Sequence, residues 1–248
     1  MRLDTVQTSA ASELLDLWER VVATRPDERA DALLAIPPEP PPSSLGARNA
    51  ALLELRARLF GNAQPLYSAC PACGVSTEFT VDCFAMAREL RPSADAAREH
   101  RLEVDGLRIA FRMPVAADVR VAAAAALDRG AFVRAMLERC VTGCERDDGT
   151  PCEPWAIPAS VATALSERME AIEPGASVGF DLTCPECGAR WSAHMDCGDV
   201  LWSELQARVE RLLLDVDTLA RAYGWSEAQV LALSATRRTA YLQLIGSE

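Results

Sequence analysis

The chain contains no lysine: all 25 of its basic residues are arginine. That excludes lysine Schiff-base catalysis and the lysine of phosphate-binding P-loops. Histidine is nearly as scarce, with only His100 and His194 in 248 residues. Neither stands in an H-E-x-x-H pattern, and a catalytic zinc site normally draws on His or carboxylate ligands around an open position. Long apolar runs are missing too. No stretch approaches the ~18 residues that span a bilayer. The opening residues, Met1-Arg2-Leu3-Asp4-Thr5, lack the apolar segment of a secretory leader. The expectation is a cytoplasmic protein with no membrane partner. Positive charge is also in deficit: 36 acidic residues leave a net charge of −11. Such a chain repels phosphate backbones, which argues against nucleic acid as a partner.

Cysteine, by contrast, is plentiful, with nine in the chain. In a reducing compartment that favours metal binding over disulfides. Four of the nine form two short knuckles, Cys70-Pro71-Ala72-Cys73-Gly74 and Cys184-Pro185-Glu186-Cys187-Gly188. Each offers two thiols at C-x-x-C spacing, stiffened by a proline, with a glycine that lets backbone amides fold back towards the sulfurs. Four thiolates from two such turns close a tetrahedral Zn²⁺ site. Cys70, Cys73, Cys184 and Cys187 are therefore the expected ligands of one structural zinc. A thioredoxin-type redox motif is the competing reading, but it does not require two matching copies.

The two segments match beyond the knuckles. Asp82-Cys83 follows the first and Asp196-Cys197 the second, at equal spacing. The residues on either side of each knuckle alternate as strands do: 66–69 and 75–81, then 178–183 and 189–195. Each knuckle is thus expected at the tip of a β-hairpin, and two hairpins sharing one metal make a zinc ribbon. The ribbon is split, because about 110 residues separate its halves. Its pseudo-symmetry pairs Cys83 with Cys197, expected as half-buried thiols. Cys140, Cys144 and Cys152 read as core residues. His194, in a ribbon strand, is expected to be exposed.

The rest reads as mostly helical. Helical periodicity covers 11–35, and a proline-rich linker follows at 37–44. A helix over 45–61 is stopped by Gly61. Asp105-Gly106 between alternating segments predicts a hairpin. Helices follow to about Cys140, a loop-like stretch covers 143–157, and another helix runs from Pro158 to Ile172. From Leu201 an apolar stripe passes through Leu205, Val209, Leu212, Val216 and Leu219 to Tyr223, and Gly224 ends it. Ser226 with Gln229 is a capping box, and Ser234 is a cap for the last helix. The stripe is either core or a partner's docking face; the second reading selects Leu201, Trp202, Leu205, Tyr223 and Trp225 as partner-binding residues.

The expected fold is α+β: mostly helical, with a split four-cysteine zinc ribbon formed by two β-hairpins and a small hairpin in the insert. The expected organisation is an N-terminal helical region (1–61), the ribbon (62–83 and 176–197), the insert (84–175) and C-terminal helices (198–248). A metal joining the two halves predicts one cooperative body.

Five blocks in order carry a resemblance: Leu17-Trp18-Glu19-Arg20; Gly46-Ala47-Arg48-Asn49 with Leu52-Leu53-Glu54-Leu55-Arg56 and Phe60-Gly61; the two knuckles; Leu201-Trp202; and Ala222-Tyr223-Gly224-Trp225-Ser226-Glu227 with Arg237-Arg238 and Tyr241-Leu242. This order resembles proteins encoded in phage-tail and contractile-injection-system clusters, grouped with the baseplate hub assembly chaperones of T-even phages. The resemblance implies a non-catalytic assembly factor or structural component of a baseplate or spike hub, with other baseplate, hub or spike proteins as partners. It implies a cytoplasmic location or incorporation in the particle. The alternative is a zinc-ribbon module that binds nucleic acid or a polymerase. That role calls for a basic or aromatic ribbon face, whereas the ribbon shows Glu78, Asp82, Glu186 and Asp196 against Arg190. A helix-turn-helix reading of the C-terminus lacks basic flanks.

Overall fold

The computed structural model describes residues 4–35, 44–92 and 98–246. The linker 37–44 lies outside them except for Ser44. The chain divides into two compact units, residues 1–33 with 198–248, and residues 34–197. The architecture is α+β and mostly helical, with small antiparallel sheets.

The first unit is helical. It contains α1 (Asp4–Val22), α2 (Arg29–Leu34), α8 (Cys197–Tyr223), α9 (Glu227–Leu231) and α10 (Ala235–Ile245). On α8 the expected stripe is a buried face: Leu201, Leu205, Val209, Leu212 and Leu219 are all buried. On α1, Leu15, Leu17 and Val21 are buried as well. The Arg29 guanidinium lies over the Trp202 ring, 4.9 Å from its centroid. Gly224 ends α8 at φ +69°, a conformation that disfavours side chains with a Cβ. The Ser226–Gln229 capping box opens α9, and Ser234 caps α10, as the sequence suggests.

The second unit holds the ribbon and its insert. Its elements are α3 (Leu45–Phe60), β1 (Ala63–Ala69), β2 (Ser76–Asp82), α4 (Cys83–Leu90), β3 (Glu99–Val104), β4 (Leu107–Arg112), α5 (Ala116–Ala125), α6 (Arg129–Cys140), β5 (Val141–Arg146), α7 (Ala159–Ile172), β6 (Val178–Thr183) and β7 (Arg190–Met195). β1–β2 and β6–β7 are separate two-stranded hairpins, and β3–β4–β5 form a third sheet. The hairpin around Asp105-Gly106 is present. The stretch read as loop-like, however, begins inside strand β5, which pairs with β4 and extends the hairpin to three strands. Gly143 hides that strand from a propensity reading, since glycine is a poor strand residue.

The insert's core lies on one face of this sheet. Ile109, Phe111, Val141 and Cys144 pack there with Leu137 of α6 and Val161 and Leu165 of α7. Asp118 of α5 is buried and takes three charge-assisted bonds. Arg112 grips both its oxygens, at 2.6 and 2.9 Å, and Arg139 donates at 2.9 Å. The Val115 N–H also donates to Asp118, at 3.0 Å.

A second closure ties the start of this unit to its end. The fully buried Glu173 accepts a hydrogen bond from the Gly46 N–H at 3.0 Å, at the amino end of α3. A carboxylate there satisfies an otherwise orphaned amide and faces the positive end of the helix dipole. Asn49 donates to the Gly175 carbonyl at 2.9 Å. Leu90 packs so closely on Gly175 that a Cβ at that position meets its backbone.

Candidate metal centre

Each knuckle is built the same way. The Cys70 N–H donates to the Val75 carbonyl at 2.8 Å, and the Gly74 N–H donates to the Cys70 carbonyl at 2.8 Å. In the second knuckle, Cys184 donates to Ala189 at 2.9 Å and Gly188 to Cys184 at 3.0 Å. Gly74 and Gly188 adopt φ +77° and +72°, the left-handed region that glycine enters without strain. Those two glycines turn each chain back on itself, so both thiols of a knuckle face the same side.

The hairpins meet face to face. The Phe79 ring of β2 packs on Phe180 of β6 with centroids 5.0 Å apart, and the Trp191 indole N–H of β7 donates to Ser68 Oγ of β1 at 3.1 Å. At their tips, Cys70, Cys73, Cys184 and Cys187 bring four Sγ atoms within 4.8 Å of one another. The Cys70–Cys187 and Cys73–Cys184 separations are 3.7 and 3.6 Å. A disulfide requires about 2.05 Å. Four sulfurs at about 2.3 Å from one metal lie about 3.8 Å apart along the edges of a tetrahedron. The inter-knuckle distances match that edge, so the donor set fits a single four-coordinate metal ion such as zinc.

Electrostatics point the same way. Backbone amides of Cys187 and Glu186 donate to the Cys184 sulfur and, against some burial, bring its thiol down to about 7. At Cys73 the Val75 amide also lowers the thiol, but bonding to Cys184, Cys187 and Cys70 outweighs it and pushes the value up to about 12. Without a cation, Cys184 gives up its proton readily and Cys73 resists. A divalent metal removes that resistance and displaces the remaining protons.

All four expected ligands are brought together. Cys70 and Cys184 are buried, while Cys73 and Cys187 are exposed. His194 is exposed on β7 and stays out of the cluster. Cys83 and Cys197 differ from expectation in being buried outright. Each opens a helix at the base of its hairpin, and the buried Arg56 places Nη1 3.9 Å from the Cys83 sulfur. Burial first, then the charges of Asp196 and Cys83, drive the Cys197 thiol up to about 12. Cys140, Cys144 and Cys152 are buried in the insert. Burial raises the Cys140 and Cys144 thiols to about 11, which suits inert core residues.

The partner-face expectation needs correcting at three positions. Leu201, Trp202 and Leu205 are buried, so they present no surface to dock on. Of the five, Tyr223 is exposed and Trp225 half-buried. Their rings stack with centroids 4.7 Å apart, and Tyr241 packs edge-on against both. Glu173 and Arg56 carry no mark in the sequence, because their roles depend on contacts made by folding.

No family model matches the chain, and neither the curated proteins nor the solved structures compared with it include a detectable match. Among the described residues, no helix is long and apolar enough to cross a membrane.

Proposed function

We propose that this chain is a non-catalytic assembly factor or structural component of the baseplate or hub of a contractile, phage-tail-like injection system, with its split ribbon closed by one structural Zn²⁺. The observation that carries the metal part is the four-thiol cluster, whose inter-knuckle spacings match a tetrahedral edge. Four thiolates fill a tetrahedral shell, leaving no position for substrate, which suits a metal that holds a fold. A tetrathiolate site also suits iron, so metal content decides between the two. The resemblance in block order, from Leu17-Trp18 to Tyr241-Leu242, supports the assembly role. The surface offered to baseplate, hub or spike partners is the Tyr223–Trp225 corner, where stacked aromatics stand at the end of a buried helix. A nucleic-acid or polymerase-binding ribbon fits less well, because the ribbon's charge is acidic. The protein acts in the cytoplasm, where tails are assembled.

Two experiments test this reading. Elemental analysis of untagged protein should give one zinc per chain; iron, or no metal, overturns the zinc assignment. Tagged protein expressed with its contractile-tail components should co-purify with baseplate or hub subunits, and a Tyr223→Ser, Trp225→Ser variant should not. Absence of those subunits from the wild-type eluate refutes the assembly role.

A further inference from the structure

The insert carries a cleft of about 470 Å³ between β3 and the last turns of α7 that plays no part in the metal centre. Arg98, Glu99, His100 and Arg101 line one side, and Arg168 lines the other. A chain of net charge −11 thus places three arginines and a histidine around one hollow, against one glutamate. That carboxylate is engaged: Glu99 Oε1 accepts from Thr142 Oγ1 at 2.6 Å.

His100 is the telling residue. Its Nε2 is buried and has no hydrogen-bond partner among the described residues. Its ring is held beside Phe111, with centroids 5.5 Å apart. Arg101 and Arg168 form no ion pair with any described residue. A guanidinium has donors only, and an imidazole N–H is a donor too. His100 therefore brings to the cleft a buried ring nitrogen without a partner, and buried polar groups are rarely left unmatched; the exposed Arg101 and Arg168 stand beside it with donors open to a ligand.

We propose that this cleft binds a phosphate group, free or as the ester of a small molecule. Donors approach from a strand on one side and a helix on the other. A tetrahedral oxyanion offers oxygens in both directions, whereas a carboxylate's two oxygens share one plane. The volume leaves room for an ester beyond the bare ion. The carbonyl end of α7 borders the same cleft and repels anions, so the attraction rests on the guanidinium groups.

The chain's two histidines supply the assay. Imidazole NMR signals of the full-length, metal-loaded protein are followed while inorganic phosphate is added at constant ionic strength. The His100 signals should shift saturably in the millimolar range while those of His194, on the ribbon, stay fixed. An Arg101→Gln, Arg168→Gln variant should lose the shift with an unchanged thermal melt. Both arginines are exposed; if the double variant melts early, Arg168→Gln alone carries the test, and the shift should weaken at least several-fold. A His100 signal that does not move, moves without saturating, or moves in step with His194 overturns the proposal. So does a saturable shift retained in the arginine variants. An equal saturable shift with acetate overturns the assignment to phosphate.

Discussion

Stripping the metal should cost this protein most of the cooperative stability of residues 34–197. The two ligand pairs are about 110 residues apart. Closing a loop of that length costs about 4 kcal/mol in chain entropy, from (3/2)RT ln n before any constant. Structural zinc contributes on the order of 10–16 kcal/mol of apparent binding free energy. The metal thus offsets the closure several times over. Other contacts help to hold the loop shut. They are the Phe79–Phe180 rings, the Trp191–Ser68 bond, and the Glu173–Gly46 bond, which closes an overlapping stretch of the chain. With about half of the metal's contribution recovered by these contacts, a loss of about 5–8 kcal/mol remains. For a protein of this size, about 1 kcal/mol moves the melting midpoint by roughly 2–4 °C, so the midpoint should fall by about 10–30 °C. The assay is a circular-dichroism melt with and without a strong chelator, with metal release followed by a colorimetric indicator. Replacing Cys184 and Cys187 together with Ser should reproduce the chelated melt without chelator. A chelated sample shown to be metal-free yet melting within a few degrees of the loaded protein refutes the reasoning. In that case the Glu173 and aromatic contacts already close the loop.

Asp118 makes a second, independent prediction. Burial alone raises its carboxyl, but bonds from Arg112, the Val115 amide and Arg139 outweigh burial and hold it at about 2, below the ordinary 3.8. Because the folded value lies below the unfolded one, its contribution of about 2 kcal/mol is whole above about pH 4 and is lost as the pH falls towards 2. Asp118→Asn should cost about 2 kcal/mol in urea unfolding at neutral pH, and the deficit relative to wild type should shrink over that acid window; a constant deficit contradicts the ion-pair account. Gly188→Ala adds a Cβ that meets nothing within 4 Å, so its cost is backbone strain alone at φ +72°, about 1–2 kcal/mol. That should weaken metal affinity roughly tenfold in competition titrations, with Gly74→Ala matching it; a large difference between them breaks the equivalence of the knuckles. Gly175→Ala drives its Cβ into the Leu90 backbone and should destabilise by about 3 kcal/mol or more, read from the melt; a near-neutral result shows that the Leu90 turn yields.

The metal centre was legible because its information is local. Two copies of C-P-x-C-G, each trailed by Asp-Cys, specify turns whose hydrogen bonds lie within six residues. Two helix starts were legible for the same reason: Ser226 and Ser234 each cap through a neighbour three residues on. β5 was not, since its pairing partner β4 lies some thirty residues upstream and Gly143 carries no strand preference. Glu173 was not, because its partner Gly46 is 127 residues away. Nor does alternation or spacing along the chain reveal that residues 1–33 belong with 198–248.

The apolar stripe of α8 shows the limit most clearly. Its steps of three and four residues state that one face of the helix avoids water, and nothing in that pattern says what covers the face. The structure buries Leu201, Leu205, Val209, Leu212 and Leu219. At roughly 1.5–3 kcal/mol for each buried aliphatic side chain, five of them amount to about 10 kcal/mol, comparable to the stability of a whole domain. Removing the chain beyond Gly198 therefore tests folding before it tests any partner, and a truncated protein that fails to co-purify says nothing about docking. Tyr223 is different. It is exposed at the end of the same helix, so substituting it leaves the buried stripe in place. Loss of a partner in a Tyr223 variant that melts normally reports on a surface; loss after truncation reports on a core.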